Sequence, residues 1–232
     1  NNEVVRFDFN ATNPNGTKSS VVSLSKPDHL VVLPNGSLLI SQYLAAPSNN
    51  LAIACCVEPW TPPRQQLSSN RELNVPRQMS LNAVTMKLTV CDGSNHRIAQ
   101  LDLNAPFPQS PINIAGQKGT TGYAEGDGVN ARFNQPTGIV AVFDPTTLSS
   151  IAPAEVGWIV SAYWNDCLRF VSSSPPYRTT AVAGKCTSGG LSNSHKDGVG
   201  VGAAFDFPAL LSSVVHGTRQ TIFIGDYQNQ VA

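Results

Sequence analysis

The sequence predicts an all-β protein. Its 232 residues include 18 Gly and 17 Pro, and only 13% are charged. Short runs of β-branched and other apolar residues alternate with turns rich in Gly, Pro, Asn and Ser, which is typical of many short strands. No long segment carries apolar residues at the 3.6-residue spacing of an amphipathic helix.

A motif that ends in proline recurs along the chain and indicates a repeat. An apolar residue is followed by two intervening residues, a proline and an apolar run, and the prolines are Pro27, Pro76, Pro136 and Pro208. Their spacings are 49, 60 and 72 residues, as expected for a repeat with growing loop insertions. Proline fixes φ and donates no hydrogen bond, so it suits the entry of a strand.

Three further segments follow the proline motif in a constant order. A second apolar run ends in a polar turn, a third run begins at an Asn, and a fourth ends in Ala-Gly. We expect positive φ in the Asn turn and at Gly116 and Gly184. The runs are residues 38–41, 88–92, 158–161 and 222–226, then 95–101 and 165–170, then 112–116 and 181–184. Four short antiparallel strands per repeat of roughly 40 to 50 residues predict blades of a β-propeller.

Two stretches resemble the NHL-repeat β-propeller family. They are DGSNHRI at residues 92–98 and AGQKGTTGYAEGDGVNARFNQPTGI at residues 115–139. The resemblance covers most of the chain and is weakest at residues 51–73. It implies a half blade at 1–23, whole blades at 24–72, 73–132 and 133–204, and a complementary half blade at 205–232. Either the two halves close a four-bladed ring, or the chain is a segment of a longer propeller. NHL-like propellers usually have six blades. We favour the segment, because an exposed half blade at both ends would leave unpaired strand edges that something must cover.

Charge and hydropathy exclude several classes of partner. Fifteen basic and fifteen acidic residues give no net charge, whereas nucleic-acid binders carry a basic excess. The cytosolic RNA-binding members of the NHL family present a basic face, which this composition does not favour. No run approaches the roughly 18 apolar residues of a membrane span, so we expect no membrane insertion.

Cysteine usage and the absence of an initial Met together favour a secreted or cell-surface protein. The chain begins with Asn1 rather than Met, which favours a processed or excised chain. The sequons predict glycosylation at Asn10, Asn15 and Asn35. Cys167 and Cys186 lie in one predicted blade, so a disulfide between them is expected. A second disulfide would join either Cys55 or Cys56 to Cys91. The sequence does not supply the geometry that decides which cysteines pair.

The sequence offers no convergent catalytic set. The resemblance raises two enzyme classes, amidating lyases with channel zinc and calcium-dependent hydrolases. However, His29, His96, His195 and His216 fall at four non-equivalent places, and a zinc site needs at least three ligands. We therefore expect no catalytic residue, metal or cofactor. Asp28 is expected to pair with Arg77 of the next blade, and Asp92 and Asp226 to cap turns.

Aromatic residues after the second strands form the candidate binding site. They would emerge on one face of a propeller, where aromatic side chains bind a protein loop or a sugar. The sequence thus favours a non-catalytic extracellular module for protein interaction, adhesion or assembly, with carbohydrate as a further ligand class. The alternative is a hydrolase or lyase whose channel metal site is completed outside this chain. The predicted binding residues are Tyr43, Tyr163, Trp164, Asn165 and Tyr227.

Overall fold

The computed structural model describes residues 3–10, 13–23, 26–42, 51–54, 65–66, 72–189 and 195–229. Within these ranges the fold is all-β, and every regular helix is a three-residue 3-10 turn. None of the described helices has the length and apolar character needed to cross a membrane.

Three antiparallel sheets and two hairpins follow one another along the chain. The N-terminal hairpin is β1 and β2, sheet 1 is β3 to β6, sheet 2 is β7 to β10, sheet 3 is β11 to β15, and the C-terminal hairpin is β16 and β17. The strands are β1 (Glu3–Asn10), β2 (Asn13–Ser23), β3 (Pro27–Val32), β4 (Leu38–Gln42), β5 (Leu51–Ala54), β6 (Gln65–Gln66), β7 (Pro76–Asn82), β8 (Lys87–Asp92), β9 (Arg97–Asp102), β10 (Ile112–Ala115), β11 (Gly126–Asp127), β12 (Pro136–Phe143), β13 (Glu155–Ala162), β14 (Cys167–Ser172), β15 (Arg178–Ala183), β16 (Pro208–His216) and β17 (Arg219–Asp226).

The sheets stack side by side in a propeller-like arrangement. The first strand of each unit is innermost: β7 packs against β3 and β12, and β12 packs against β16. Each of the four repeat prolines is the first residue of its innermost strand, as predicted. The four-stranded sheets run outward in chain order, with neighbouring strands paired as in a meander.

Each boundary between neighbouring units has its own apolar cluster. One cluster joins sheets 1 and 2, a second joins sheets 2 and 3, and a third joins sheet 3 to the C-terminal hairpin. They centre on Leu39, Leu73 and Leu88, on Ile114, Phe133 and Trp158, and on Val140, Leu168 and Leu211. Because one sheet cannot bury both of its faces, the stacking of neighbours supplies the core.

A connecting segment crosses one predicted boundary. Residues 73–132 were expected to form one blade, but Gly126 and Asp127 form β11 and pair with Thr179 and Arg178 at the outer edge of sheet 3. The connector between the sheets therefore adds a fifth strand to the following sheet. It is anchored by the buried Arg169, whose guanidinium donates to the carbonyl oxygens of Arg132 and Ala124.

The turns after the second strands of sheets 2 and 3 differ in one detail from expectation. Positive φ falls on His96 and Asp166, one residue after the predicted Asn. The physical reason is that the Asn side chain is needed elsewhere: Asn95 donates to the carbonyl of Glu72 and to Asp92. Gly116 and Gly184 have the expected positive φ, and a Cβ at Gly116 would overlap the carbonyl of His96.

The cysteines form one bridge in the described structure. Cys167 and Cys186 are joined by a disulfide, which confirms that pairing. Cys91 carries a free, buried thiol that contacts the carbonyl of Gly138 at 3.5 Å, so the prediction that it joins Cys55 or Cys56 was wrong. Its position in β8 points it towards β12, where no cysteine stands. Cys55 and Cys56 lie outside the described residues.

Candidate functional site

The residue before each repeat proline adopts a left-handed backbone conformation. The φ angles are 46° at Lys26, 52° at Val75, 49° at Gln135 and 57° at Phe207. Positive φ in a residue other than glycine costs of the order of 1–3 kcal/mol and persists only where the surroundings impose it. Four equivalent positions share this strain, so the repeat itself imposes it.

Hydrogen bonds from the neighbouring sheet hold two of these residues in place. The Gln135 amide N–H donates to Nδ1 of His96 at 3.2 Å, and the Phe207 amide N–H donates to Oδ1 of Asp166 at 3.1 Å. His96 and Asp166 are the left-handed residues of equivalent turns. Each bond therefore joins the second-strand turn of one unit to the entry segment of the next.

The aspartates of the second-strand turns support the same end of the fold. Asp92 is fully buried and accepts bonds from the Asn74 amide at 2.7 Å and from Arg97 at 2.8 Å. Asp226 accepts a bond from the Asp206 amide at 2.9 Å. These contacts confirm the predicted capping role, because a carboxylate that satisfies backbone N–H groups fixes a turn.

An aromatic surface is built on this end of the molecule. We define it as Tyr163, Trp164, Phe207 and Tyr227. The ring centroids of Trp164 and Phe207 are 4.6 Å apart, and those of Tyr163 and Phe207 are 4.9 Å apart. Trp164 is 40% exposed and Tyr227 is 65% exposed. Aromatic residues that are packed yet exposed are rigid anchors for a ligand.

Polar and charged groups border the aromatic surface. The indole N–H of Trp164 donates to Oε1 of Gln135 at 3.0 Å, which fixes the ring. Burial raises the pKa of Tyr163, nearby Tyr227 raises it further, and Arg77 opposes the shift. Arg77 pairs with Asp28 at 3.1 Å across sheets 1 and 2, which confirms the predicted ion pair.

The predicted binding residues separate into two groups. Tyr163, Trp164 and Tyr227 come together on the aromatic surface, whereas Asn165 is completely buried. The Asn165 carboxamide accepts from the Asn134 amide and donates to the carbonyls of Gly122 and Thr187, so it ties loops together and faces no ligand. Tyr43 lies outside the described residues.

Phe207 is the member of the aromatic surface that sequence reasoning missed. It was assigned to the strand-entry motif because it directly precedes Pro208. A proline disfavours the right-handed helical region for the residue before it. Here that residue takes the left-handed region instead, and the Phe207 ring packs on Tyr163 and Trp164. The sequence did contain one signal for this role: Phe207 stands directly before a repeat proline, at a position that recurs in every repeat.

The innermost strands line a separate central groove of about 470 Å³. Gln78 crosses it: its carboxamide accepts from the Leu211 amide at 2.9 Å and from the Ile139 amide at 3.2 Å, and donates to the Leu211 carbonyl at 2.6 Å. Burial lowers the pKa of His29, which lines the groove. Within the described ranges, no three His, Cys, Asp or Glu side chains are grouped to hold a metal ion.

The sequons occupy different local structures. Asn35 is exposed in the turn between β3 and β4, and its side chain accepts a bond from the Ser37 amide at 2.9 Å. Asn10 is the last residue of β1 and pairs with Asn13, while Asn15 lies within β2 and not in a turn.

Comparisons with known proteins relate the chain to others by fold alone. No protein-family model matches it, so membership of the NHL family stays a prediction. A search of curated proteins gives no match either.

Solved structures share this fold. An auxiliary nutrient binding protein from Bacteroides thetaiotaomicron has a TM-score of 0.73 at 18% identity, over 99% of this chain and 52% of that one. A provisionally named phosphatase from the same bacterium has a TM-score of 0.72 at 17% identity, over 97% and 51%. An auxiliary nutrient binding protein from Bacteroides ovatus has a TM-score of 0.54 at 15% identity, over 92% and 60%. The chain thus spans about half the length of the first two.

Proposed function

We propose that this chain is part of a non-catalytic, extracellular NHL-like β-propeller that binds a protein partner through its aromatic surface. The three sheets are whole blades, and the two hairpins are complementary half blades of a longer propeller. The observation that carries the proposal is the exposed, hydrogen-bonded Trp164, packed on Phe207 and Tyr163. Trp and Tyr are enriched among residues that dominate binding energy.

The preorganisation of the surface supports recognition of a folded partner. Its members sit on turns that are fixed by buried hydrogen bonds and imposed left-handed backbone, so little conformational entropy is lost on binding. The mixed border of Arg77 and Asp28 supplies polar contacts around an apolar centre, as in other protein interfaces. The names of two fold neighbours, which are nutrient-binding proteins, agree with a binding role.

The extracellular location rests on the disulfide and the sequons. A disulfide between Cys167 and Cys186 is stable in oxidising compartments. Asn35 is exposed at the opposite end of its sheet from the second-strand turns, so a glycan there would leave the aromatic surface clear. The intact mass of the natural protein, before and after reduction and deglycosylation, tests both features. An unglycosylated protein with free thiols at 167 and 186 would contradict this location.

Binding is tested with variants that change one end of the molecule. We expect Trp164→Ala with Tyr227→Ala to reduce binding to intact source cells, or self-association in sedimentation velocity, by at least about tenfold, the scale of a lost hot spot. Val84→Ala is the matched control, because Val84 is 74% exposed in the turn between β7 and β8 at the other end. Equal loss in both, or loss in neither, would refute the proposed surface.

A second candidate function is a hydrolase whose channel site is completed outside this chain. The provisional phosphatase name of one fold neighbour is the observation that favours it. Hydrolysis of p-nitrophenyl phosphate by the full-length natural protein, abolished by chelation, would support this candidate. Loss of that activity on replacing Gln78, which crosses the central groove, would place it in the groove.

A further inference from the structure

A second cavity lies between sheets 2 and 3, at the end opposite the aromatic surface. Its volume is about 410 Å³, within the range of roughly 300–1,000 Å³ for small-molecule sites. The turn between β7 and β8, the segment before β13 and the turn between β14 and β15 form its walls. It shares no residue with the aromatic surface or with the central groove.

One basic and one acidic side chain face this cavity without forming a salt bridge with each other. Lys87 and Glu155 both line it, yet the described salt bridges do not include a pair between them. Glu155 bonds instead to the side chain of Asn82, and burial raises the pKa of Glu155 to about 7. Lys87 is exposed at the start of β8. A carboxylate held in a partly desolvated wall gains from a cationic partner.

The floor and rim carry features that packing alone does not explain. Trp158 is 1% exposed, and its indole Nε1 has no hydrogen-bond partner in the described structure. A buried donor that lacks an acceptor costs about 1–3 kcal/mol. Tyr177 lines the same cavity with a left-handed φ of 60°. Such strain in a bulky residue clusters at binding sites.

We infer that this cavity binds a zwitterionic small molecule of the amino-acid class, with its ammonium against Glu155 and its carboxylate against Lys87. A molecule that carries both charges can pair with Glu155 and with Lys87 at once. A simple anion would be repelled by the Glu155 carboxylate, and a simple cation would be repelled by the Lys87 ammonium. A carboxylate that reaches the floor also gives the Trp158 N–H an acceptor. Val84 and Pro153 leave an apolar part of the lining for the ligand side chain.

The cavity does not favour a neutral sugar. Sugars use exposed aromatic faces, and the indole of Trp158 at the floor offers none, which leaves the half-buried Tyr177 as the one aromatic ring of the lining that a sugar could reach. One N–H of the Gln100 carboxamide is already used, since its nitrogen donates to Oγ1 of Thr89 at 3.0 Å. This inference is independent of the aromatic surface, because the two sites lie at opposite ends of the strands and share no residue.

Ligand-observed NMR with the twenty L-amino acids, followed by calorimetry of each one that binds, tests the inference. We expect at least one amino acid with an apolar side chain to bind, and its matching amine and carboxylic acid to bind at least about tenfold more weakly. Glu155→Gln and Lys87→Met should each weaken that binding by about tenfold or more. D-glucose serves as the neutral probe.

Matched variants separate a specific loss from a general one. Asp197→Asn and Lys185→Met change one acidic and one basic residue outside the cavity, both exposed, and should leave binding unchanged. The inference is overturned if no amino acid binds at millimolar concentration, if D-glucose binds as tightly, or if Glu155→Gln and Lys87→Met bind like the unaltered chain. Thermal unfolding of each variant confirms that it is folded.

Discussion

Gln78 and Leu211 are joined by a pair of hydrogen bonds across the central groove, although they are 133 residues apart. The Gln78 carboxamide accepts the Leu211 N–H and donates to the Leu211 carbonyl, and it also accepts the Ile139 N–H. One side chain thus links three innermost strands, β7, β12 and β16. Close packing of β12 against β16 accompanies it: a Cβ at Gly138 would overlap the carbonyl oxygen of Ala209.

Removal of this link should destabilise the whole stack. We expect Gln78→Ala to lower the free energy of unfolding in urea by about 2–4 kcal/mol, because it leaves several buried backbone groups without partners. Gln220→Ala is the control: Gln220 also bonds to β12, at the Ala141 carbonyl and the Phe143 amide, but it is less buried. If both variants lose the same free energy of unfolding, the greater burial of Gln78 does not make its hydrogen bonds more stabilising than those of Gln220.

The strain before the repeat prolines can be released at Val75. A β-branched residue is poorly suited to positive φ, whereas Asn tolerates that region. We expect Val75→Asn to raise the free energy of unfolding by about 1 kcal/mol. Val84→Asn makes the same chemical change at an exposed residue whose φ is negative, and it should be near neutral. A destabilised Val75→Asn would mean that the lost apolar contacts of Val75 outweigh its strain.

The disulfide ties down the loop that follows the fourth strand of sheet 3. In sheet 2 the equivalent loop is held by a salt bridge from Lys118 to Glu72 at 2.8 Å, and the disulfide takes that place in sheet 3. The two cysteines are 19 residues apart in the sequence. A disulfide that closes a loop of about this length stabilises a fold by about 3 kcal/mol, mainly because it lowers the conformational entropy of the unfolded chain.

Cys186→Ser, with Cys167→Ser, should therefore lower the free energy of unfolding by about 2–3 kcal/mol. Denaturation of the unaltered chain with and without reductant measures the same quantity. The double variant is the control, since reductant should leave its unfolding curve unchanged. A large effect of reductant on that variant would assign the stabilisation to another pair of cysteines.

The sequence predicted the architecture well because the repeat marks it directly. A proline that opens each innermost strand, and a glycine with positive φ after the fourth, are local requirements that a single residue type meets. The ion pair between Asp28 and Arg77 was also predictable, because equivalent positions in neighbouring repeats face each other. These features could be predicted because each one follows from a backbone geometry that recurs in every repeat.

Contacts that differ between repeats could not be predicted. Asn165 belongs to the same motif as Asn95, but the motif does not reveal that both side chains are used up by backbone groups. Nor does it reveal that β11 joins the following sheet. Phe207 joins the aromatic surface because of the left-handed turn, and its equivalents Lys26, Val75 and Gln135 share the conformation but not the aromatic ring.

Glu155 should make stability depend on pH. Burial penalises the charged form of Glu155 and raises its pKa from an ordinary value of 4.5 to about 7 in the folded protein. Between these values the folded protein keeps a proton that the unfolded chain has lost, so stability falls as pH rises from 4.5 to 7. The loss is at most about 3 to 4 kcal/mol at 1.36 kcal/mol per pKa unit, and solvent at the cavity mouth reduces it.

Glu155→Gln removes this titration while keeping a side chain that can bond to Asn82. We therefore expect the variant to be more stable than the unaltered chain above pH 7, with the difference fading below pH 4.5. Urea unfolding of both proteins at a series of pH values measures that difference. Because the other titrating groups are the same in both proteins, their contributions cancel. Asp197→Asn, at an exposed carboxylate, controls for loss of one negative charge. A difference that does not change with pH would show that Glu155 is charged and well solvated in the folded protein.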